Sequence, residues 1–330
     1  MRVTIAEVAR RARVSKTTVS RVLNNKSDVD AATAVRVREV IAATGYIPSA
    51  GAVSLAKGRT RLVGVLVPAL SPPGIGEVLQ GVADVVEASD HSLLLSTTNR
   101  GADSLERFTR QVRAHAFDGL LLLDPPAAVT DNSALRDSDL PVVVIDGARA
   151  PFPSVAGDDA AGAAAVARHF LSRNRRRVAV VTGPGDRATA RLAGFRSVLG
   201  EAGVPFADDR VAEAAFTAGS GRSAVRRLVA SGLVFDAVFA CDDVVAAGVL
   251  IGLREAGRAV PDDVAVAGFG DLPLSAFTQP PLTTVRRPLR ALGEAAARRL
   301  LGKLLGDAGE TPLTGPTVLP TDLVVRASAP

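Results

Sequence analysis

The feature that most restricts the fold of this chain is a regular alternation, from residue 61 onward, of short apolar runs with longer amphipathic segments. The apolar runs are typical of buried strands and span Leu62–Val67, 93–96, Gly119–Leu123, Val142–Ile145, Val178–Thr182, Ala237–Ala240 and 264–269. The amphipathic segments predict helices at 75–89, 103–114, 159–173, 187–201, 219–231 and 242–257. This alternation predicts an α/β fold whose parallel sheets are covered by helices on both faces.

The length of this region predicts two sheets. About 270 residues of such a pattern exceed one open sheet, so we expect two α/β subdomains with a cleft between them. The segments LTTVRRPL and TVLPTDLVV would return the chain through both halves. We therefore predict one half from about 61–158 plus 288–316 and the other from about 159–287 plus 317–330. Ligands of such folds bind at the carboxyl ends of the strands.

The residues before this region carry most of the positive charge. Residues 1–60 hold eleven lysines and arginines against four acids, a formal +7, which leaves −2 for the rest of a chain whose net charge is +5. A local basic excess is the electrostatic footprint of a polyanion partner, although solvated basic faces are also common. Charge alone therefore leaves nucleic acid as one of two interpretations.

The basic segment has the sequence signals of two short helices joined by a tight turn. Thr4 followed by Glu7 predicts a capping box, and Ser15 predicts the cap of the second helix. A third helix is expected from Asp30 to Gly45, with four apolar residues completing a small core: Val35, Val37, Val40 and Ile41. The spacing alone fits a helix-turn-helix and an ordinary helical hairpin equally well.

The exposed side of the second helix favours the helix-turn-helix. Four side chains that donate hydrogen bonds lie off its apolar stripe: Lys16, Thr17, Ser20 and Arg21. An α-helix fits the major groove of DNA, where arginine and lysine read guanine edges and hydroxyls bind phosphates. This arrangement indicates a nucleic-acid reader.

The segments VTIAEVARRARVSKTTVSRVLNN and GYIPSAGAVSL, in this order and spacing, resemble the head of the LacI/GalR family of bacterial transcription regulators. The resemblance implies a DNA-binding head at 1–47 and a hinge helix at 48–60. It implies that Lys16, Thr17 and Arg21 read bases. A second set would contact the DNA backbone or support the head on it: Thr4, Ser15, Thr18, Ser20, Asn24 and Ser49. Leu55 matches the leucine that is wedged between base pairs in the minor groove, although a plain linker would show the same short stretch.

Three residues of the head depart from the family pattern. Arg13 occupies the turn position that is usually glycine, which would cost ~1 kcal/mol if its φ is positive. Asp30 replaces a usual phosphate-contacting serine, and Ser49 replaces the usual asparagine. The base-reading residues are unaffected, so these departures predict weaker affinity and leave the DNA-binding function in place.

Residues 61–330 resemble the effector domain of the same family, and more distantly the periplasmic sugar-binding proteins of type I. Segments such as PVVVIDG, ARLAGFRSVL, AVFACDDVVAAGVL and VPDDVAVAGFGD carry this resemblance. It implies an effector site formed by Asp146, Arg191, Phe216, Asp242 and Asp271. Each also has an ordinary structural interpretation: the aspartates that end apolar runs can cap helices, Phe216 can be core, and Arg191 can be a surface residue.

The expected pocket also departs from the family pattern. Gly270 and Asp271 stand where two adjacent acids are usual, Gly74 and Ile75 replace a usual aromatic pair, and Asp242 replaces a common asparagine. A pocket with fewer rings and a different set of acids argues against copying the ligand of any one relative. The sequence therefore leaves the ligand class open.

Other function classes lack their required features. No run of eighteen apolar residues occurs, and MRVTIAEVAR has charges where a signal peptide needs an apolar centre. The single cysteine, Cys241, fits a reducing compartment. The histidines His91, His115 and His169 fall in separate segments, and Gly183-Pro184-Gly185 is too short for a dinucleotide or phosphate loop. We expect no enzymatic activity, cofactor, metal or membrane association.

The combined prediction is a ligand-responsive regulator that binds a pseudo-palindromic operator in double-stranded DNA as a homodimer, with a tetramer left open. The resemblance implies a repressor of genes for carbohydrates or related small metabolites, a sugar or sugar derivative as effector, and a cytoplasmic, nucleoid-associated location. The alternative is a solute-binding protein of the periplasmic sugar-binding type, which would need a signal peptide and would lack the basic head.

Overall fold

A computed structural model of the chain describes residues 3–47, 59–147, 151–306 and 315–330. The chain separates into two compact units, Met1–Arg61 and Leu62–Pro330. Most of the predicted hinge, including Ser49 and Leu55, lies outside the described residues. The hinge helix and the wedge function of Leu55 therefore stay predictions.

The first unit contains three helices: α1 (Ile5–Ala12), α2 (Lys16–Leu23) and α3 (Ala31–Thr44). Each helix begins after a residue whose side chain accepts a hydrogen bond from a backbone N–H of the first turn, namely Thr4, Ser15 and Asp30. Val8, Val19 and Val37 are fully buried at the centre of the unit. Side-chain caps of this kind satisfy helix donors that have no partner within the helix.

Two details of the head differ from the sequence predictions. Val35 is 51% exposed, because the inward face of α3 follows Ala34, Val37 and Ile41 at helical spacing. The predicted capping box forms on one side only: Thr4 accepts from the Glu7 N–H, whereas the Glu7 carboxylate accepts hydrogen bonds from Arg10 and Arg11. Those ion pairs hold the pKa of Glu7 below its usual value.

The turn between α1 and α2 uses a left-handed arginine. Arg13 has a φ of 53°, and its N–H donates to the carbonyl groups of Ala9 and Arg10. This is the position where we expected a glycine to be more favourable. The cost of ~1 kcal/mol therefore applies to the native turn.

The second unit is built from twelve strands and nine helices among its described residues. The strands are β1 (Leu62–Val67), β2 (Ser92–Thr97), β3 (Gly119–Leu123), β4 (Val142–Ile145), β5 (Ser154–Gly157), β6 (Val178–Thr182), β7 (Val211–Glu213), β8 (Ala237–Ala240), β9 (Ala265–Gly270), β10 (Thr283–Arg286), β11 (Pro316–Leu319) and β12 (Asp322–Val324). The helices are α4 (Ile75–Glu87), α5 (Ala102–Arg113), α6 (Ala127–Thr130), α7 (Ser133–Arg136), α8 (Asp159–Ser172), α9 (Asp186–Glu201), α10 (Ala218–Ala230), α11 (Asp243–Glu255) and α12 (Leu289–Leu305). Short 3₁₀ turns occur at Asp208–Arg210 and Pro273–Ala276.

These strands form the two sheets that the sequence predicts. The first sheet has the order β11-β5-β4-β3-β1-β2, and all of its strands are parallel. The second has the order β12-β10-β9-β8-β6-β7 and is parallel except for β12, which pairs antiparallel with β10. The α/β fold class is therefore confirmed, with one antiparallel edge strand that the sequence did not indicate.

The chain passes between the two sheets three times: after β5, after β10 and after β11. Because β11 pairs with β5 of the first sheet, that half extends to Leu319. The predicted boundary near residue 316 is thus a few residues early. The connection after β10 contains Arg287, so this arginine lies on a segment that joins the halves.

Candidate DNA-reading helix and ligand cleft

The α2 helix presents polar side chains to solvent along one side. Lys16, Thr17 and Arg21 are exposed, whereas Val19 and Val22 are buried in the core of the unit. Thr17 and Arg21 are four residues apart and therefore lie on the same face of the helix. A short helix with a basic, hydroxyl-bearing exposed face has the shape and donors needed to enter a major groove.

The Arg21 guanidinium forms one ion pair within the head. Its Nη1 lies 3.1 Å from Oδ2 of Asp28, and both side chains are more than half exposed. An exposed pair of this kind contributes little to stability. It leaves the other guanidinium nitrogens of Arg21 available to acceptors on a base.

The side chains predicted to contact the DNA backbone also organise α2. Ser15 Oγ accepts from the Thr18 N–H and lies 2.9 Å from the Thr18 hydroxyl. Asn24 donates its amide to the Ser20 carbonyl at the end of the helix. These contacts fix the two ends of α2; they do not test the proposed phosphate contacts, which stay predictions.

A cleft of about 390 Å³ lies in the second unit where the two sheets present the carboxyl ends of their strands. The first half contributes the loop after β1 and the residues that end β3 and β4. The second half contributes the segment from Pro184 to Arg191, the residues that end β8 and β9, and Phe216. The cleft therefore occupies the place where the predicted topology positions a ligand.

Four of the five predicted effector residues line this cleft: Asp146, Arg191, Phe216 and Asp242. Phe216 is 44% exposed, and its ring lies so close to Gly183 that a Cβ there would be 2.8 Å from a ring carbon. Asp242 both lines the cleft and caps α11 by accepting from the Val244 N–H. The two interpretations of Asp242 are therefore compatible.

Asp271, the fifth residue, is not among the side chains that line the cleft. Its two carboxylate oxygens accept hydrogen bonds from Arg286 at 2.7 Å and from Arg326 at 2.6 Å. The two arginines belong to segments brought together by the antiparallel pairing of β10 and β12. The structure therefore places Asp271 in an ion-pair network beside the cleft, apart from the other four residues.

The floor of the cleft is a cluster of four buried charges that alternate in sign: Asp146, Arg287, Asp159 and Arg191. Arg287 donates to Asp146 at 2.5 Å, and its Nε lies 3.3 Å from Asp159. Arg191 Nη2 lies 3.3 Å from both oxygens of Asp159. These three ion pairs connect the end of β4 in the first half with α8 and α9 in the second.

Two further contacts hold Arg191 in place. Its Nη1 donates to the Cys241 carbonyl at 2.5 Å, and its Cζ lies 3.9 Å from the centroid of the Phe269 ring. A guanidinium stacked on a ring and bonded at its terminal nitrogens has a fixed plane. Arg191 is thus a rigid part of the cleft floor.

The pKa shifts of the cluster follow from burial and pairing. Burial disfavours the ionised form of Asp146, but Arg287 and Arg187 outweigh it and hold the pKa of this carboxyl below its usual value. Burial lowers the pKa of Arg191, which Asp159 only partly opposes. For Arg287 burial also disfavours the cation, but Asp146 and Asp159 more than offset it and raise the pKa.

Arg187 spans the two halves at the side of the cleft. It lies in the first turn of α9, and its Nη2 donates to Asp124, which follows β3, at 2.9 Å. Its Nη1 is 3.6 Å from the second oxygen of Asp146. Arg187 is 35% exposed, so it is the accessible member of the arginines that line the cleft.

Sequence reasoning did not identify Asp124, Asp159, Arg187 or Arg287. No local pattern marks them, since Arg287 pairs with an acid 141 residues away and Arg191 with one 32 residues away. Asp159 follows Asp158 and resembles an ordinary acid in a first helical turn, while Arg286 and Arg287 are adjacent basic residues of which only Arg287 is buried. A weak signal was available for three of them, since Asp124 follows a predicted strand and Asp159 and Arg187 begin predicted helices. Arg287 lies in the segment LTTVRRPL, for which we predicted neither a strand nor a helix.

A buried carboxyl beside the cleft gives a pH-dependent prediction. Asp243 is fully buried and accepts hydrogen bonds from the Leu272 N–H and the Thr284 hydroxyl. Burial raises its pKa to about 6. The native state therefore holds this proton more tightly than the unfolded state, and stability present at pH below about 4 is lost as the pH rises through about 6.

Asp243→Asn should remove this loss, which amounts to ~2–3 kcal/mol. The asparagine can accept from Leu272 and donate to the Thr284 oxygen. Denaturant unfolding of both proteins at several pH values between 4 and 7 measures the difference. Parallel pH curves for the native protein and the variant would show that Asp243 does not titrate in this range.

Groups that nucleophilic or metal chemistry would use are poorly placed for it. Burial raises the pKa of the Cys241 thiol to about 12, so this thiol is not a thiolate at neutral pH. His169 contacts the Ala329 carbonyl, and His91 contacts Ser89. Within the described ranges, no group of three or more His, Cys, Asp or Glu side chains is placed to hold a metal ion. None of the helices in the same ranges has the length and apolar character needed to cross a membrane.

Comparison with known proteins finds relatives of both parts of the chain. Residues 4–49 match the family "Bacterial regulatory proteins, lacI family", and residues 167–329 match "Periplasmic binding protein-like domain". The chain is 30% identical to the HTH-type transcriptional regulator DegA of Bacillus subtilis (strain 168) over 99% of its length and 98% of the length of DegA.

Two solved structures show the same fold. The lac repressor dimer bound to operator and the anti-inducer ONPF is 27% identical, with a TM-score of 0.86 over 100% of this chain and 99% of that chain. The complex of the transcriptional regulator CelR with cellobiose is 30% identical, with a TM-score of 0.75 over 99% of this chain and 100% of that chain.

Proposed function

Because the chain belongs to the LacI family of bacterial regulatory proteins, we propose that it is an effector-responsive repressor of genes for carbohydrates or related small metabolites. The observation that carries sequence-specific DNA binding is the exposed row Lys16, Thr17 and Arg21 on α2. The relatives are transcriptional regulators and not enzymes, which agrees with the inert thiol and the separated histidines. A repressor of this kind acts in the cytoplasm on the bacterial nucleoid.

The effector-binding part of the proposal rests on the cleft in the second unit. A volume of about 390 Å³ fits a small metabolite, and Phe216 offers an exposed ring on which an apolar ligand face can stack. The CelR structure contains cellobiose, which supports a sugar or sugar derivative as the effector class. Asp146, Arg191 and Asp242 are the proposed polar contacts.

We propose a homodimer as the DNA-binding form. Phe277 is 83% exposed, at the end of the Pro273–Ala276 turn, and Ile251 is 37% exposed on α11. Exposed apolar side chains on elements that pack against each other support coverage by a second copy. The lac repressor in its operator complex is a dimer. A two-fold dimer places two α2 helices on related half-sites, which requires a pseudo-palindromic operator.

Effector binding would act through the angle between the two halves of the second unit. The chain crosses between the halves three times, and these crossings can serve as the pivot of cleft closure. A change in this angle in both subunits would alter the separation of their linkers, and with it the ability of Leu55 to engage the minor groove. The ligand shifts operator affinity only as far as it prefers one angle over the other.

The periplasmic solute-binding alternative is disfavoured. It accounts for the two sheets and the cleft, but it does not explain why residues 4–49 match a family of bacterial regulatory proteins. DNA affinity also separates the alternatives. A protein that neutralises several phosphates loses affinity steeply as salt rises, through counterion release.

The decisive experiment is selection of bound duplexes from a random DNA library by the purified full-length protein, followed by sequencing. We expect a palindrome with a flexible central step. A folded dimer that enriches no sequence at low salt would contradict the proposed function. An asymmetric site without repeated halves would contradict the dimer.

Arg21→Ala should lower affinity for the selected operator by ~1–3 kcal/mol per head and relax the preference at one base pair of each half-site. Arg38→Ala is the matched control, because Arg38 is an exposed arginine on α3 and its removal changes the charge of the head equally. The control should lower the affinity for operator and for non-specific DNA equally and only slightly. Equilibrium binding to the operator and to a scrambled duplex measures both effects. Equal losses in the two variants would show that Arg21 contributes only charge.

A further inference from the structure

The floor of the cleft contains a buried hydrogen-bond donor that has no partner among the described residues, namely Nε of Arg191. Nε of Arg287 is also buried, and its one neighbouring acceptor is the Asp159 carboxylate, 3.3 Å away in an ion pair without hydrogen-bond geometry. Both arginines line the cleft and are more than nine-tenths buried. A buried donor without a partner is costly, so this floor favours a ligand atom that accepts.

The buried acceptors of the floor are already in use. Asp146 has one oxygen bonded to Arg287 and the other 3.6 Å from Arg187, and both oxygens of Asp159 face Arg191. A neutral sugar brings hydroxyl protons that need acceptors when they are buried. At this floor those protons would have to displace arginines from the carboxylates, whereas an anionic oxygen group needs donors only.

Two helix ends add to this preference. α4 and α9 both begin in the cleft, after Gly74 and Gly185, and neither has a side-chain cap. The neighbouring helix α11, by contrast, is capped by Asp242. A helix N-terminus carries a partial positive charge and backbone N–H groups directed at its end, which suits carboxylate and phosphate oxygens.

We propose that the effector carries an anionic oxygen group, a carboxylate or a phosphate, that binds at the cleft floor against Arg191 and Arg287. This inference rests on the proposed function in that it takes the cleft as the effector site. It narrows the effector from sugars in general to acidic sugars, sugar phosphates or molecules of similar chemistry. Arg187, which is the accessible arginine, exchanges its contact with Asp124 for the ligand anion.

The proposal is tested by thermal unfolding and calorimetric titration of the full-length protein at constant ionic strength set with sodium chloride. The probes are inorganic phosphate and the matched series D-glucose, D-gluconate and D-glucose 6-phosphate. We expect saturable stabilisation by inorganic phosphate, since a ligand that binds only the native state raises its stability in proportion to the logarithm of concentration. Within the series we expect at least one anion to bind about tenfold or more tightly than glucose.

The two anionic sugars separate a carboxylate site from a phosphate site. Absence of saturable binding by every anion would overturn the proposal, as would tighter binding of glucose than of both its anionic forms. Failure of the proposed function is distinguishable: anion binding by a protein that selects no operator leaves the cleft inference intact. Operator release by neutral sugars alone would instead refute the cleft inference and leave the regulator function intact.

Arg287→Gln should abolish the preference for anions and reduce phosphate affinity by about tenfold or more. Arg298→Gln is the matched control, because Arg298 is exposed on α12 and pairs with Glu294 outside the cleft. It should leave phosphate affinity unchanged. If Arg287→Gln fails to fold, Arg187→Gln removes a more exposed arginine of the same cleft and should reduce phosphate affinity in the same direction. Unchanged anion binding in both cleft variants would overturn the proposal.

Discussion

Gly194→Val should destabilise the second unit by about 3 kcal/mol or more, which is a large fraction of the ~5–15 kcal/mol that stabilises an ordinary domain. Gly194 lies on α9 where this helix crosses α8, and a Cβ there would be 2.1 Å from the Ala160 carbonyl oxygen. No rotamer relieves a clash with backbone, so α9 must move away from α8. That movement separates Arg191 on α9 from Asp159 on α8.

The matched control is Gly200→Val in the same helix. A Cβ at Gly200 meets no atom within 4 Å, so the substitution should change stability by less than ~1 kcal/mol. Urea unfolding of the full-length proteins, followed by circular dichroism, measures both. If Gly194→Val proved as mild as Gly200→Val, the close crossing of α8 and α9 would not be a requirement of the fold.

Asp159→Asn should cost ~3–5 kcal/mol, because it leaves Arg191 and Arg287 buried without their shared carboxylate. Arg287→Gln should be similarly destabilising, since it takes the nearest cation from Asp146. The double variant removes one charge of each sign and should lose less than the sum of the single effects, with a coupling of ~1–3 kcal/mol. Denaturant unfolding of the four proteins gives this coupling directly.

Glu255→Gln shows whether the burial of an ion pair or the distance between its charges determines its effect on stability. Glu255 lies 2.7 Å from Arg222, which is closer than the 3.3 Å between Asp159 and Arg191, but the side chains of Glu255 and Arg222 are 39% and 46% exposed. Solvent screening should limit its effect to less than ~1 kcal/mol. Additive single effects in the cycle, or an Asp159→Asn variant as mild as Glu255→Gln, would show that the buried charges do not act as one cluster.

Much of the second unit could be predicted because its strands are apolar on both faces. The runs at Gly119–Leu123 and Val142–Ile145 coincide with β3 and β4, since a strand covered by helices on both sides is continuously hydrophobic. Strands β5 and β11 lack this signal, because they are short and lie toward one edge of the sheet, where β11 is mostly exposed. The same weakness in β11 explains why the boundary near residue 316 fell short.

The candidate sites could be predicted only in part. Local chemistry marked Thr4 and Ser15 as helix caps, and both accept hydrogen bonds from first-turn N–H groups. Periodicity misplaced Val35, since the inward face of α3 is fixed by where α1 and α2 lie against it. Asp271 was expected in the cleft, but β12 brings Arg326 to its side, and no feature near residue 271 could indicate that pairing.

The sequence by itself determined the basic head, the alternation of strands with helices that defines the α/β fold, and the strand ends at which a ligand would bind. These follow from short-range rules, namely hydrophobic periodicity, helix capping and the local balance of charge. Only the tertiary structure decided which charges are buried together. Asp146, Asp159, Arg191 and Arg287 come from distant segments, and their pairing depends on how two sheets joined by three crossings face each other. Electrostatic interactions in a cleft depend on distance and burial, which the order of residues does not encode locally.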